Sequence, residues 1–134
     1  EDVIRFAEVS KDYNPIHFDD RFASVKKFED RICHGLLVAG ILTEIGGQIG
    51  WLASSMHFQY KKPVYFQDTI TCHFTITQID DSGRARADAI YKNQYGITVL
   101  EAYLTGILPG RDEKEVLRQM LDEGDPTNKI GNDQ

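Results

Sequence analysis

The chain has 134 residues, with 15 Lys and Arg against 21 Asp and Glu and a formal net charge of −6. That length makes one domain with a moderate core, and the acidic balance argues against a general nucleic-acid binder. No apolar run reaches the ~18 residues of a bilayer span, no signal-peptide pattern is visible, and Cys33 and Cys72 are too few for a disulfide framework or a zinc site. Both are expected to be buried, reduced thiols of a cytoplasmic protein.

In chain order, 2–10 reads as a short helix with Val3, Phe6, Ala7 and Val9 as its apolar positions, and 19–25 as a second helical turn with Phe22 and Ala23 inward. Residues 34–51 read as one long helix. Its first half, Leu36 to Leu42, has no polar stripe and is expected to be buried all round. Gly40, Gly46, Gly47 and Gly50 cost helix propensity there, and Gly46-Gly47 is the expected place for it to fray or end. Beyond it, Ile70, Cys72, Phe74 and Ile76 alternate with Thr71, His73, Thr75 and Thr77 as in a half-buried strand. Asp80-Asp81-Ser82-Gly83 is a hairpin turn, Ala85, Ala87, Ala89 and Tyr91 the inward face of the next strand, Asn93 to Gly96 a second turn, and 97–108 a further strand. Helices followed by an antiparallel meander give an α+β layout, with a curved sheet around one central helix. Pro109-Gly110 closes the domain at 1–110, and 111–134 is expected to be an amphipathic helix (Val116, Leu117, Met120, Leu121 on one face) with a disordered polar tail.

Between the first two helices lies Asp12-Tyr13-Asn14-Pro15-Ile16-His17. Pro15 fixes its own φ and drives Asn14 out of the helical region, so the chain bends between Asp12 and His17 and their side chains can converge. A carboxylate and an imidazole that share a water form a general acid–base pair near neutral pH. Either residue alone is more often a turn cap or a surface histidine; the combination, with His34-Gly35 downstream, favours chemistry.

Asp12-x-Asn14-Pro15-Ile16-His17-x-Asp19 resembles the hydratase motif of the MaoC-like, (R)-specific enoyl-CoA hydratases (hydratase 2), which have a hotdog fold. The likeness continues through 28–37, with Cys33-His34-Gly35, into the central helix, and through 58–69, which resembles a strand pair with a Pro63-Val64 kink and an acidic turn at Asp68. The resemblance implies that Asp12 and His17 hold the water that adds to an enoyl thioester. It also implies that the Gly35 N–H polarises the thioester carbonyl, Asn14 shapes the loop and Thr43 supports Asp12. Lys11 stands where the family usually has Gly, and Thr43 where many members have Ser. The chain opens at Glu1 inside the first helix without the strand expected before it, which implies a trimmed form of a longer protein.

The implied activity is (R)-specific hydration of trans-2-enoyl-CoA to (R)-3-hydroxyacyl-CoA, by a homodimer, with no metal and no organic cofactor. Lys61 and Lys62 are the candidates for the CoA phosphates, Lys26, Lys27 and Arg31 being the other basic positions. His34 is read as structural, and His57 and His73 lack partners at ligand spacing. Leu37, Ile41 and Trp51 are candidates for setting pocket depth. The alternatives are a 3-hydroxyacyl-carrier-protein dehydratase running the same chemistry in reverse, a hotdog thioesterase, and a non-catalytic acyl-CoA sensor, which would more often lose Asp12 or His17.

Overall fold

In the computed structural model, which describes residues 1–125, helices come first and a sheet follows. The helices are α1 (Asp2–Ser10), α2 (Asp20–Val25), α3 (Gly35–Ala39) and α4 (Leu42–Gln48), with a 3-10 turn at Pro15–His17. Four strands, β1 (Leu52–Tyr60), β2 (Thr71–Ile79), β3 (Arg84–Lys92) and β4 (Thr98–Ile107), form one antiparallel sheet in the order β1-β4-β3-β2, and α5 (Arg111–Asp122) closes the described chain. The α+β layout expected from the sequence is therefore present. Two compact units can be distinguished. One holds 1–41, 58–73 and 90–101; the other holds 42–57, 74–89 and the chain from Ala102 on.

In the first unit, α1 buries Val3 and Ala7 and leaves Val9 84% exposed, so the apolar face is narrower than expected. The helix ends on Lys11 in the left-handed region (φ 63°), whose N–H donates to Ala7 O at 2.8 Å. That is the usual helix-ending geometry, and it favours Gly. Asp19 caps α2 by accepting from the N–H groups of Arg21 and Phe22. The Arg21 side chain holds the Asp19 carboxyl well below the ordinary carboxylate range. Ala23 is buried as expected, whereas Phe22 stays partly exposed with Lys26 over its ring. Tyr91 is fully buried, and its hydroxyl donates to Ala39 O at 2.7 Å, tying β3 to the end of α3.

The long helix over 34–51 is interrupted. α3 ends at Gly40, where Ile41 N–H closes back to Val38 O in a tighter turn, and a new helix starts at Leu42. It includes Gly46 and Gly47 and stops at Gln48, next to the place where an end was expected. Nor is the first half buried all round: Val38 and Ala39 are buried while Leu36 is 64% exposed. The segment 61–70 is no strand either. It is a loop with one isolated bridge, Tyr65 to Ile32, because Pro63 has no N–H to give a ladder.

In the second unit, Ala85, Ala87, Ala102 and Gly106 form the small buried face of β3 and β4. A Cβ at Gly106 would lie 2.6 Å from Leu52 O, so only Gly permits this approach. Trp51 packs edge-on against Phe74. Arg111–Asp122 is helical as expected, with Arg118 bonded to Glu115 and Asp122 and with Val116 and Leu121 exposed. The polar tail lies from residue 126 on outside the described residues. Cys33 and Cys72 are half-buried rather than buried. Burial pushes both thiols up, Cys33 to about 11.

Candidate active site

The loop from Lys11 to His17 is built from short-range bonds. Asn14 N–H donates to Asp12 Oδ1 (3.1 Å), Ile16 N–H donates to Asn14 Oδ1 (3.1 Å), and His17 N–H donates to Asn14 O (3.0 Å). These are turns made by side chains that accept from the backbone two residues on, and Pro15 supplies the first position of the 3-10 turn. The result carries the exposed Asp12 carboxylate to 3.9 Å from Nε2 of the buried His17, a gap that a bridging water can span.

The tautomer of His17 follows from its other nitrogen. Nδ1 lies 2.7 Å from Ile32 O, which can only accept, so Nδ1 carries a proton, and in the neutral ring Nε2 keeps the lone pair, on the side of Asp12. His34 lies under this pair. Its Nε2–H donates to Asp12 O (2.9 Å), and its ring stacks on His17 with centroids 3.8 Å apart. Asp12, His17 and His34 bring potential metal-ligating atoms within 4.8 Å of one another. His57 stands near Tyr103 in the second unit, outside this cluster.

His17 and Gly35 share the wall of a cavity of about 340 Å³, together with Tyr60, Lys61 and Lys62. Gly35 is the first residue of α3, and its N–H has no acceptor among the described residues. A Cβ on Gly35 would lie 2.7 Å from Cε1 and 2.9 Å from Cζ of Tyr60, so the absence of a side chain lets the phenol ring lie on the backbone here. Burial pushes the Tyr60 phenol up, which keeps its hydroxyl protonated. A second cavity of about 500 Å³ also reaches His17 and takes in Leu37 and Ile41, two of the residues expected to set pocket depth.

Of the basic residues, Lys61 stands 3.8 Å from Glu101, and Arg31 lies 2.9 Å from Asp20 and over the Phe66 ring. Lys62 has no ion pair among the described residues and is exposed at the first cavity. Thr43 is on α4 in the second unit, on the wall of a cavity shared with Trp51, Phe74 and Leu104. Sequence reasoning placed Asp12, Asn14, His17 and Gly35 in one neighbourhood. It missed Tyr60, whose only signal was an aromatic residue directly before the lysine pair.

A family model described as "MaoC like domain" matches residues 1–95. The chain is 31% identical over 121 residues to a mitochondrial 3-hydroxyacyl-(acyl-carrier-protein) dehydratase of Arabidopsis thaliana, covering 84% of this chain and 71% of that protein. It is 29% identical over 114 residues to an (R)-specific enoyl-CoA hydratase of Rhodospirillum rubrum, covering 82% of this chain and 79% of the relative. Among solved structures, the (R)-hydratase from A. caviae involved in PHA biosynthesis superposes with a TM-score of 0.73 at 29% identity, over 80% of this chain and 85% of that one. The fold is the hotdog arrangement of these hydratases.

Proposed function

The chain belongs to the MaoC-like domain family, and from that premise we propose that it is a hydro-lyase acting as an (R)-specific enoyl-CoA hydratase. It adds water to trans-2-enoyl-CoA to give (R)-3-hydroxyacyl-CoA, and the reaction is reversible. The observation that carries this reading is the water-sized gap between the His17 Nε2 lone pair and the Asp12 carboxylate, with the free N–H of Gly35 on the same cavity wall as His17.

An enoyl thioester is electrophilic at Cβ, and attack there moves negative charge onto the thioester oxygen. The barrier falls if the water meets a base and the oxygen meets a donor. Water held between Asp12 and His17 gives a proton to His17 Nε2 as its oxygen bonds Cβ. The same pair returns a proton to Cα on the same face, which makes the addition syn. The Gly35 N–H, an unpaired donor of a helix first turn, receives the enolate oxygen. Lys62, with Lys61 beside it on the lining of the first cavity, is proposed to meet the CoA phosphates. Asn14 holds the loop geometry, and Thr43 is proposed to support Asp12. The protein acts as a homodimer, since the exposed edge strand β1 calls for cover.

A carrier-protein dehydratase is the second reading, favoured by the plant relative's name. Both are tested by one assay: short and medium trans-2-enoyl-CoAs, followed for loss of the conjugated double bond and for thiol release, with the product's configuration determined. Loss of the double bond without thiol release, giving the R product, is expected. Thiol release alone would replace the reading with a thioesterase. Silence with CoA substrates and turnover of carrier-linked ones would favour the dehydratase.

A further inference from the structure

We infer that His34 is a positioning residue for the dyad, holding Asp12 and His17 in register with each other without touching substrate. The inference rests on the hydratase reading above, and its decisive measurement does not depend on activity.

His34 is 1% exposed and lines neither cavity that reaches His17. A buried imidazole normally has both nitrogens satisfied. Here Nε2–H donates to Asp12 O, while the buried Nδ1 has no hydrogen-bond partner among the described residues. An apolar residue would fill the same space without an orphaned acceptor. What histidine adds is a flat ring with a donor at one corner, and both features are used. The ring is stacked between Phe6 (centroids 4.9 Å) and His17 (3.8 Å, planes 30° apart), and the donor corner reaches the Asp12 backbone.

Each dyad member is thereby fixed twice. The His17 ring is held in its plane by Nδ1–H to Ile32 O and against rotation out of it by the stack on His34. Asp12 is held at its carboxylate by Asn14 N–H and at its carbonyl by His34. Of the two holds on His17, one comes from Ile32 and the other from His34, two residues along the same segment. That segment is anchored in turn by Cys33 N–H to Val64 O at 2.8 Å. A small misplacement of reacting groups costs orders of magnitude in rate, so a brace common to both groups is expected to act on turnover rather than on substrate affinity.

Two variants separate the two contacts. His34→Phe keeps the flat ring and loses the donor; His34→Gln keeps a donor and loses the ring. In each, kcat for hydration is expected to fall about 10- to 100-fold with KM changed less than about two-fold. The independent readout is the 15N spectrum of His17 in the unliganded protein. It should show the single Nδ1–H tautomer in the natural chain and a mixture of tautomers or a broadened ring signal in His34→Gln. The inference is overturned if both variants keep kcat within about two-fold, or if a kcat loss is matched by an equal rise in KM. An unaltered His17 spectrum in a folded His34→Gln protein overturns it too. An inactive natural chain with the expected His17 spectra would sink the hydratase reading and leave the bracing role standing. If His34→Phe fails to fold, the His34→Gln spectrum decides.

Discussion

The loop 12–17 and the segment 32–34 serve the same two groups by opposite means. The loop shapes itself mainly by short-range bonds: Asp12 N–H to Ser10 Oγ, Asn14 N–H to Asp12, and Ile16 and His17 N–H to Asn14. The segment works at long range, from Ile32 O to His17, from His34 to Asp12, and from Cys33 to Val64 and Tyr65. The loop presents a half-exposed carboxylate and can approach its turn geometry unaided, while the segment exists as a brace only after the chain has folded. Groups that react and groups that hold them are thus encoded at different sequence distances.

The sharpest way to break this contrast is on the reactive side. Asp12→Asn and His17→Gln should fold normally, judged by unchanged circular dichroism, yet lose about 10²- to 10⁴-fold in kcat. Near-full activity in either would end the dyad assignment. Next is Gly35→Ala. Its Cβ would press on Tyr60, and displacement of the backbone donor should cost about 10²- to 10³-fold in turnover. Adding Tyr60→Ala should recover part of that loss; no recovery would mean that the contact with Tyr60 is not what matters at Gly35.

Asn14→Ala removes the acceptor for Ile16 N–H and should cost about 1 kcal/mol in chemical denaturation. A lower kcat should accompany it, because the loop's local order is what aims Asp12. Lys11→Gly tests the entry to the same loop. Lys11 holds φ 63°, so Gly there should stabilise the fold by about 0.5–1 kcal/mol with unchanged kinetics. The bracing segment can also be probed through pH. Burial raises the Cys33 thiol to about 11, against an ordinary value of 9.0. Between those values the unfolded chain has lost a proton that the folded one keeps, so stability should decline as pH rises from 9 toward 11. Cys33→Ser should flatten that part of the stability–pH curve.

Asp12, Asn14, Pro15 and His17 were legible from sequence because turn chemistry acts between near neighbours, and β2 and β3 because alternation reports a half-buried face over a few residues, whereas β1, which lacks that alternation, was not read as a strand before Phe58. Alternation was seen where it was expected at Cys72, Phe74 and Ile76, and at Ala85 to Tyr91. The break at Gly40-Ile41 was not legible, since Gly46-Gly47 carries the stronger local signal against a helix, and the second helix does end beside that pair, at Gln48. Nor could the sequence say that Tyr60 lies on Gly35, or that His34 rather than a loop residue holds Asp12 from below. By itself, then, the sequence determined the fold class and singled out Asp12 and His17 as a candidate pair. Only the tertiary structure decided which tautomer His17 adopts and what fixes it against Asp12, because those choices rest on contacts between residues far apart in the chain.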